Sequence, residues 1–365
     1  MLFLNSKLYP PVILKEEKKL YDLCELGFDN YFQELVKDTP YTIGRVAKSS
    51  NGIYLTYSVN GKFYCEVSGR FFHRKEDAHD FPCVGDWVLF DYTTVDSKGM
   101  IHQVLKRKSV LSRHAAGKKQ QEQLMAANID IVFLVSALNN DFNLRRMERF
   151  LTQIYESGAS PVFILTKKDL CEDVDEKISA VEEIAMGVPI LSVDALHNEG
   201  MDQLFPFLKK GQTISLLGSS GVGKSTLINR LLGEEVQKTQ SIREDDAKGR
   251  HTTTQRELFI LPSGGIIIDT PGMRELQLWS SEDAASQTFQ DIEELEKQCK
   301  FRDCRHSSEP GCAVKKAIET GELSEERYKS FLKLQREAKF LDLKKKYGSQ
   351  RASRIQADEI LKGKW

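Results

Sequence analysis

Thr213-Ile-Ser-Leu-Leu-Gly-Ser-Ser-Gly-Val-Gly-Lys-Ser-Thr-Leu-Ile-Asn-Arg-Leu-Leu232 joins an apolar run, a glycine-rich turn and an amphipathic segment without a break. The run Thr213–Leu217 reads as a strand buried on both faces, and Thr226–Leu232 reads as a helix. Between them Gly218, Ser219, Ser220, Gly221, Val222, Gly223, Lys224 and Ser225 fit G-x4-G-K-[ST] in the strand-then-helix context that the motif requires. Glycines let backbone N–H groups wrap an anion without a Cβ in the way, and the helix N-terminus adds its partial positive charge. Lys224 is expected to reach β and γ phosphates, and the Ser225 hydroxyl to hold Mg2+, with Thr226 completing the loop. The motif alone specifies a P-loop nucleotide site and not the base.

Working outward, apolar runs at 131–135, 162–165, 188–191 and 265–268 alternate with helical stretches such as 144–156. That alternation predicts a doubly wound α/β domain over 128–280. Thr166-Lys167-Lys168-Asp169 follows directly on one such run and resembles N-K-x-D, whose aspartate accepts from guanine N1 and N2. A buried Asp169 would be left unpaired against adenine, which is the basis of selectivity. Thr166 stands where Asn is usual. Asp194-Ala195 has the spacing of a Ser-Ala base-contact motif, with Asp in place of Ser. Asp269-Thr270-Pro271-Gly272 matches D-x-x-G; Asp269 is expected to hold Mg2+ through water and the Gly272 amide to sense the γ-phosphate. Thr252, Thr253 and Thr254 occupy the place of the switch threonine, and the pattern does not choose among them.

The order of these motifs is rotated: T-K-x-D and Asp-Ala come first, then the P-loop, then D-x-x-G. All such loops lie at the carboxyl edge of one parallel sheet, so moving the chain opening preserves the site. The sequence therefore predicts a circularly permuted domain binding GTP or GDP with Mg2+, its γ-phosphate sensor joined directly to whatever begins at Glu282. Met273 stands where a water-orienting Gln is frequent, and a thioether neither accepts a proton nor aligns water. Slow intrinsic hydrolysis is expected, with His251 a candidate for orienting the water and Arg250 for stabilising charge.

Upstream, residues 39–112 change to period two, with a hairpin signal at Asn60-Gly61. Five short antiparallel strands suggest a small barrel of OB type, with an SH3-like barrel as competitor. Tyr57 and Phe72 are candidates for base stacking, and Trp87 for the core. Residues 1–38 read as a mostly helical lead-in, on the spacing of Leu20, Leu23, Leu26, Phe32 and Leu35, and 113–127 as a polar linker. Downstream, 281–365 reads as a helical zinc-binding unit with a basic tail.

In that unit Cys299-x4-Cys304-x-His306-x5-Cys312 offers three thiolates and an imidazole, a full tetrahedral set for one structural Zn2+. Cys24, Cys65, Cys83 and Cys171 are scattered, which fits reduced thiols in a cytoplasmic setting. From Phe331 onward basic residues exceed acidic ones by six, whereas the whole chain of 365 residues has a net charge of −1. Any nucleic-acid contact must therefore be local, with a solvated helix face as the competing use of the tail. No apolar stretch suits a membrane span, and Met1-Leu2-Phe3-Leu4-Asn5 opens no signal peptide.

The barrel, the permuted order, Gly249-Arg250-His251-Thr252-Thr253-Thr254, Asp269–Gly272 and the Cys-x4-Cys-x-His-x5-Cys set together resemble the bacterial ribosome small-subunit-dependent GTPase A family. Gln123 to Asp130 also resembles that family's entry into its G domain. The resemblance covers about residues 40–330. It implies an OB barrel, a permuted G domain and a zinc domain acting in late maturation of the small ribosomal subunit. It further implies contact with ribosomal RNA and hydrolysis stimulated by the subunit. It assigns Thr166–Asp169 and Gly218–Thr226 to GTP, and Cys299, Cys304, His306 and Cys312 to zinc. A monomer is expected. The alternatives are a nucleotide-gated RNA-binding adaptor with negligible hydrolysis, and an ATP-dependent enzyme, which Asp169 argues against.

Overall fold

The computed structural model describes residues 20–36, 38–74, 78–114, 122–233, 256–269, 282–307 and 309–361. Strands β1 (Thr42–Ser50), β2 (Ile53–Ser58), β3 (Gly61–Val67), β4 (Trp87–Thr93) and β5 (Lys98–Val104) form the first unit. Their order is β1-β2-β3-β5-β4, and β1 also pairs with β4, so the sheet closes on itself. This is the OB order, which decides between the two barrels left open by the pattern. One expectation needs correcting: β3 and β5 run parallel, so the barrel is not wholly antiparallel. Period-two burial fills it with Phe63, Cys65, Val88, Phe90 and Ile101.

The helical periodicity read over the lead-in is realised only in the six residues of α1 (Asn30–Leu35) within 20–36. The rest is a turn. Tyr21, Leu26, Phe28 and Phe32 pack around the buried Trp87, so this segment closes one end of the barrel and is held by aromatic packing. Helix α2 (Gly69–Arg74) leaves the barrel after β3. The polar linker is likewise not plain coil. Strand β6 (Val110–His114) pairs antiparallel with β7 (Glu122–Ala127), and Leu111, Met125 and Ala126 enter the core below.

The central unit carries β8 (Ile131–Ala137), β9 (Ser160–Thr166), β10 (Ile190–Val193), β11 (Thr213–Leu217), β12 (Glu257–Ile260) and β13 (Ile266–Asp269) in the order β10-β9-β8-β11-β13-β12. All neighbours are parallel except β12–β13. Every residue of β8 is buried, as the continuous apolar run requires. One face of the sheet packs on α3 (Leu144–Ser157) and α4 (Val174–Ile184) through Met147, Leu151, Ile154, Val181 and Ile184. The other packs on α5 (Lys224–Leu232) and the short helix Met201–Phe207. Helices on both faces make the domain doubly wound. Among the described residues a single pairing, Lys48 opposite Glu257, joins barrel and sheet, and the two side chains form an ion pair at 3.1 Å.

Five more helices follow among the described residues: α6 (Glu282–Thr288), α7 (Gln290–Lys297), α8 (Ala313–Thr320), α9 (Glu325–Tyr347) and α10 (Ser349–Leu361). Their small core includes Phe289, Ile292, Val314, Ala317, Leu323, Phe331 and Leu334, with Cys312 at its edge. The unit is fastened to α3 by polar contacts that are nearly sealed from water. Arg327 on α9, 5% exposed, donates to Glu148 on α3 at 2.9 Å, to Asp291 at 2.7 and 2.8 Å, and to the Thr288 carbonyl at 3.2 Å. Thr152 and Thr288 bond hydroxyl to hydroxyl at 2.9 Å. No helix among the described residues is long and apolar enough to cross a membrane.

Candidate functional site

Parallel strands deliver their following loops to one edge, and here β8, β9, β11 and β13 all end there. The turn after β11 passes so close to β8 that a Cβ on Gly218 would lie 2.2 Å from the Val135 carbonyl oxygen, so this position admits only glycine. Helix α5 then starts at Lys224 with Gly223 in the left-handed region as its N-cap, which points its unpaired N–H groups at the concavity of the loop. The Lys224 ammonium folds over the loop and donates to the Gly218 and Ser219 carbonyls at 2.7 and 2.5 Å. Asp269 closes β13, two strands from β8, on the same edge.

Thr166 ends β9 and is buried. Its hydroxyl donates to the Val222 carbonyl at 2.6 Å and lies 3.3 Å from the Ser136 carbonyl. The residue that departs from the usual Asn thus ties the T-K-x-D loop to the P-loop across β8. Lys167, with φ of 59°, turns the chain so that Asp169 stands beyond the strand end. Asp169 itself is exposed, which corrects the expectation of a buried selector: it faces outward where a base can reach it.

Asp194 explains its own departure from Ser. It is buried, and its Oδ1 accepts from the Leu196 and His197 amides at 2.8 and 3.1 Å while Oδ2 meets His197 Nδ1 at 2.5 Å. Burial works against the charge, but these bonds outweigh it and hold the carboxyl below its ordinary pKa; in return Asp194 raises the His197 imidazole. Asp194 and Glu199 also exchange backbone bonds at 2.9 Å, closing the loop. The loop is then anchored twice. Arg230 on α5 donates to the Ala195 and Leu196 carbonyls at 3.1 and 2.7 Å, and Lys168 pairs with Glu199 at 2.9 Å. The carboxylates of Asp169 and Asp194 and the His197 ring come within 4.8 Å of one another. Three loops far apart in the chain therefore meet at one place. Thr166, Lys167, Lys168, Asp169, Asp194, Ala195 and the P-loop lie together, as expected; His251, Thr252, Thr253, Thr254, Gly272 and Met273 lie outside the described residues.

The second cluster is local. Cys299 follows α7, Cys304 and His306 sit in the next loop, and Cys312 is the N-cap of α8. Their donor atoms all lie within 4.8 Å of one another. Cys299 Sγ is 3.9 Å from Cys312 Sγ and 3.6 Å from His306 Nδ1, which is 3.3 Å from Cys312 Sγ. A tetrahedral zinc with ordinary bond lengths sets such separations at about 3.5–3.8 Å. The donor set therefore fits that ion in identity, number and spacing. His306 Nε2 bonds Glu296 at 3.0 Å, the kind of arrangement that fixes the ring of a metal-binding histidine, and leaves Nδ1 toward the Cys299 and Cys312 sulfurs. Burial opposes a Cys299 thiolate, yet N–H groups of Val314 and Ala313 hold its pKa below normal.

Sequence reading missed Arg230, Glu296 and Arg327. None sits in a motif, and only its tertiary partner gives each a role. Of the barrel aromatics, Tyr57 is stacked on Tyr21 at 4.4 Å and is thus engaged in packing, whereas Phe72 is exposed.

A doubly wound sheet carrying the guanine-type loop before the P-loop, and D-x-x-G after it, defines a circularly permuted GTPase. Comparison with known proteins agrees. The sequence profile of the RsgA GTPase family matches residues 104–279. "Small ribosomal subunit biogenesis GTPase RsgA 2" of Lactiplantibacillus plantarum is 45% identical over 323 residues, covering 88% of this chain and 91% of the relative. RsgA 1 of Oceanobacillus iheyensis is 46% identical over 303 residues, covering 83% and 86%. YjeQ from Thermotoga maritima superimposes with a TM-score of 0.61 at 28% identity over 81% of this chain and 98% of that one. YloQ, described as a circularly permuted GTPase, gives 0.59 at 26% identity over 82% and 95%. The chain belongs to the RsgA GTPase family and is a GTP-hydrolysing enzyme.

Proposed function

We propose that this chain hydrolyses GTP to GDP and phosphate as a late maturation factor of the small ribosomal subunit in the cytoplasm, and that docking on the subunit and its RNA stimulates hydrolysis. The observation carrying the nucleotide half is the bond from Thr166 to the Val222 carbonyl, which seats the base loop directly on the phosphate loop. The partner is supported by the names of the relatives, each a small-subunit biogenesis GTPase.

In this reading Gly218–Thr226 cradle the phosphates and Lys224 offsets charge on the β and γ groups. Ser225 and Asp269 hold Mg2+, which when bound neutralises charge that develops between those phosphates. Thr166–Asp169 and Asp194–Ala195 hold the guanine; Asp169 orients it by accepting from N1 and N2. One of Thr252, Thr253 and Thr254, with the Gly272 amide, senses the γ-phosphate, and His251 orients water in place of the side chain that Met273 cannot supply. Cys299, Cys304, His306 and Cys312 hold one zinc that stabilises the helical unit. We take the working units as 39–112, 128–280 and 281–365, in a monomer.

Phosphate release measured with and without purified small subunits tests the proposal. The rate is expected to rise and saturate with subunit concentration. No rise across that range would contradict it and favour a nucleotide-gated RNA-binding adaptor, the reading that Met273 also suits.

A further inference from the structure

GTP hydrolysis makes no use of a concave surface at the far end of the helical unit. Helix α10 turns back on α9 after Gly348, and the buried Ala338 and Ala352 let the two helices approach closely. Above that contact opens a cavity of about 520 Å³, the size range of small-molecule sites, about 300–1,000 Å³. Its apolar floor is Leu332 and Phe340, and Gln356 contributes an amide from α10. Its rim is cationic. Lys333 and Arg336 are exposed, one helical turn apart, and neither has an ion-pair partner among the described residues. The acid on the rim, Glu337, is engaged by Arg149 of α3 at 3.0 Å, which offsets part of its repulsion for an anion and ties α9 to the GTPase domain.

An aromatic floor, an amide and two uncommitted cations make a composite that a phosphodiester with an unstacked base fits in every part. Phe340 offers a ring for the base, Gln356 a donor and acceptor for its edge, and Lys333 with Arg336 charges for the flanking phosphates. A duplex keeps its bases stacked and cannot present one to a groove. An acidic peptide would use the cations and leave the ring without purpose. We propose that the α9–α10 groove binds single-stranded RNA, seating one unstacked base on Phe340 and its neighbouring phosphates on Lys333 and Arg336. The source of that RNA rests on the small-subunit reading above; the chemistry of the groove does not.

The test is fluorescence anisotropy of the full chain with a labelled single-stranded RNA of about a dozen nucleotides, the matching duplex and a glutamate-rich peptide of equal charge, across a salt series. Wild type is expected to prefer the single strand. K333Q/R336Q removes two phosphate contacts and should reduce the salt slope by about 1.4, weakening binding about tenfold or more at low salt. F340L keeps the floor apolar but removes the ring; it should weaken binding at least about fivefold with the slope unchanged. Equal binding of duplex or of peptide, or variants that bind the single strand as wild type does, would overturn the proposal. Subunit-stimulated hydrolysis of wild type is measured in parallel. If it is present while the groove variants bind RNA normally, the groove proposal fails alone. If it is absent, the small-subunit reading fails and the oligonucleotide result still decides the groove.

Discussion

The nucleotide edge and the cysteine cluster are built on opposite plans. The cluster takes its four donors from fourteen consecutive residues, 299–312, and the donor atoms already stand at zinc-binding separations with the His306 ring fixed by Glu296. The nucleotide edge takes its parts from positions 166–169, 194–195, 218–226 and 269, spread over three loops and a strand end, and depends on a whole sheet to bring them together. A local site on so small a segment draws much of its stability from the ligand that holds it. A dispersed site is shaped by the domain core before any ligand arrives. With the zinc proposed above, metal binding and folding are expected to be one event in the helical unit, and nucleotide binding an addition to a finished fold.

The sharpest way to break that contrast is to remove a zinc donor. Cys312→Ser should lower zinc content from one per chain to none and abolish the cooperative unfolding of the helical unit, because apparent zinc stabilisation in small sites is about 10–16 kcal/mol. GDP affinity should stay within about twofold. Retained zinc-dependent folding, or GDP binding lost along with zinc, would mean that the two regions are one unit. Next comes the fastening between them. Arg327→Met takes from the fully buried Glu148 carboxylate one of its two arginine partners, leaving Arg145, and removes both bonds to Asp291; it should destabilise the chain by about 1.5–3 kcal/mol, read as a lower first thermal transition, again without loss of GDP affinity. A transition within a degree of wild type would show that the helical unit is not held by this network. Smallest is Thr166→Val, which keeps the shape but deletes the bond to Val222. Loss of about 1 kcal/mol from the ordering of the loops predicts GDP binding weaker by about fivefold, with zinc content unchanged. Unchanged GDP affinity would remove the tether from the account.

What could be read in advance follows the same division. Spacing alone exposed the cluster, since Cys-x4-Cys-x-His-x5-Cys has few other uses in a chain whose remaining thiols are scattered. The nucleotide edge was legible through motif context and order, because a P-loop needs a strand before it and a helix after it. Contacts that depend on tertiary approach were not. Nothing local marks Arg327 as the residue that joins α3 to α9, or Arg230 as the clamp on the Ala195 loop. The exposure of Asp169 is hidden for a related reason: a motif specifies which atoms meet the base but not how far the loop that carries them stands out from the strand end. At the N-terminal side, Leu20, Leu23, Leu26, Phe32 and Leu35 recur near helical spacing, yet Leu20 and Leu35 are exposed, and Trp87 gathers Tyr21, Leu26, Phe28 and Phe32 around a turn. Tertiary packing overrode the periodicity there. In the 113–127 stretch the polar residues around positions 113–123 mask a strand whose last four residues, Leu124 to Ala127, are all buried.

Base selectivity at Asp169 tests the central claim most directly, that loops in rotated order converge on one guanine nucleotide. GDP, xanthosine diphosphate and ADP are competed against a fluorescent GDP on wild type and on Asp169→Asn. Wild type should prefer GDP over ADP by about 10⁴-fold, and the variant should lose GDP and gain the xanthine nucleotide, whose edge presents an acceptor where guanine presents a donor. An unaltered preference for GDP in the variant, or ADP bound as tightly as GDP by the wild type, would contradict the account.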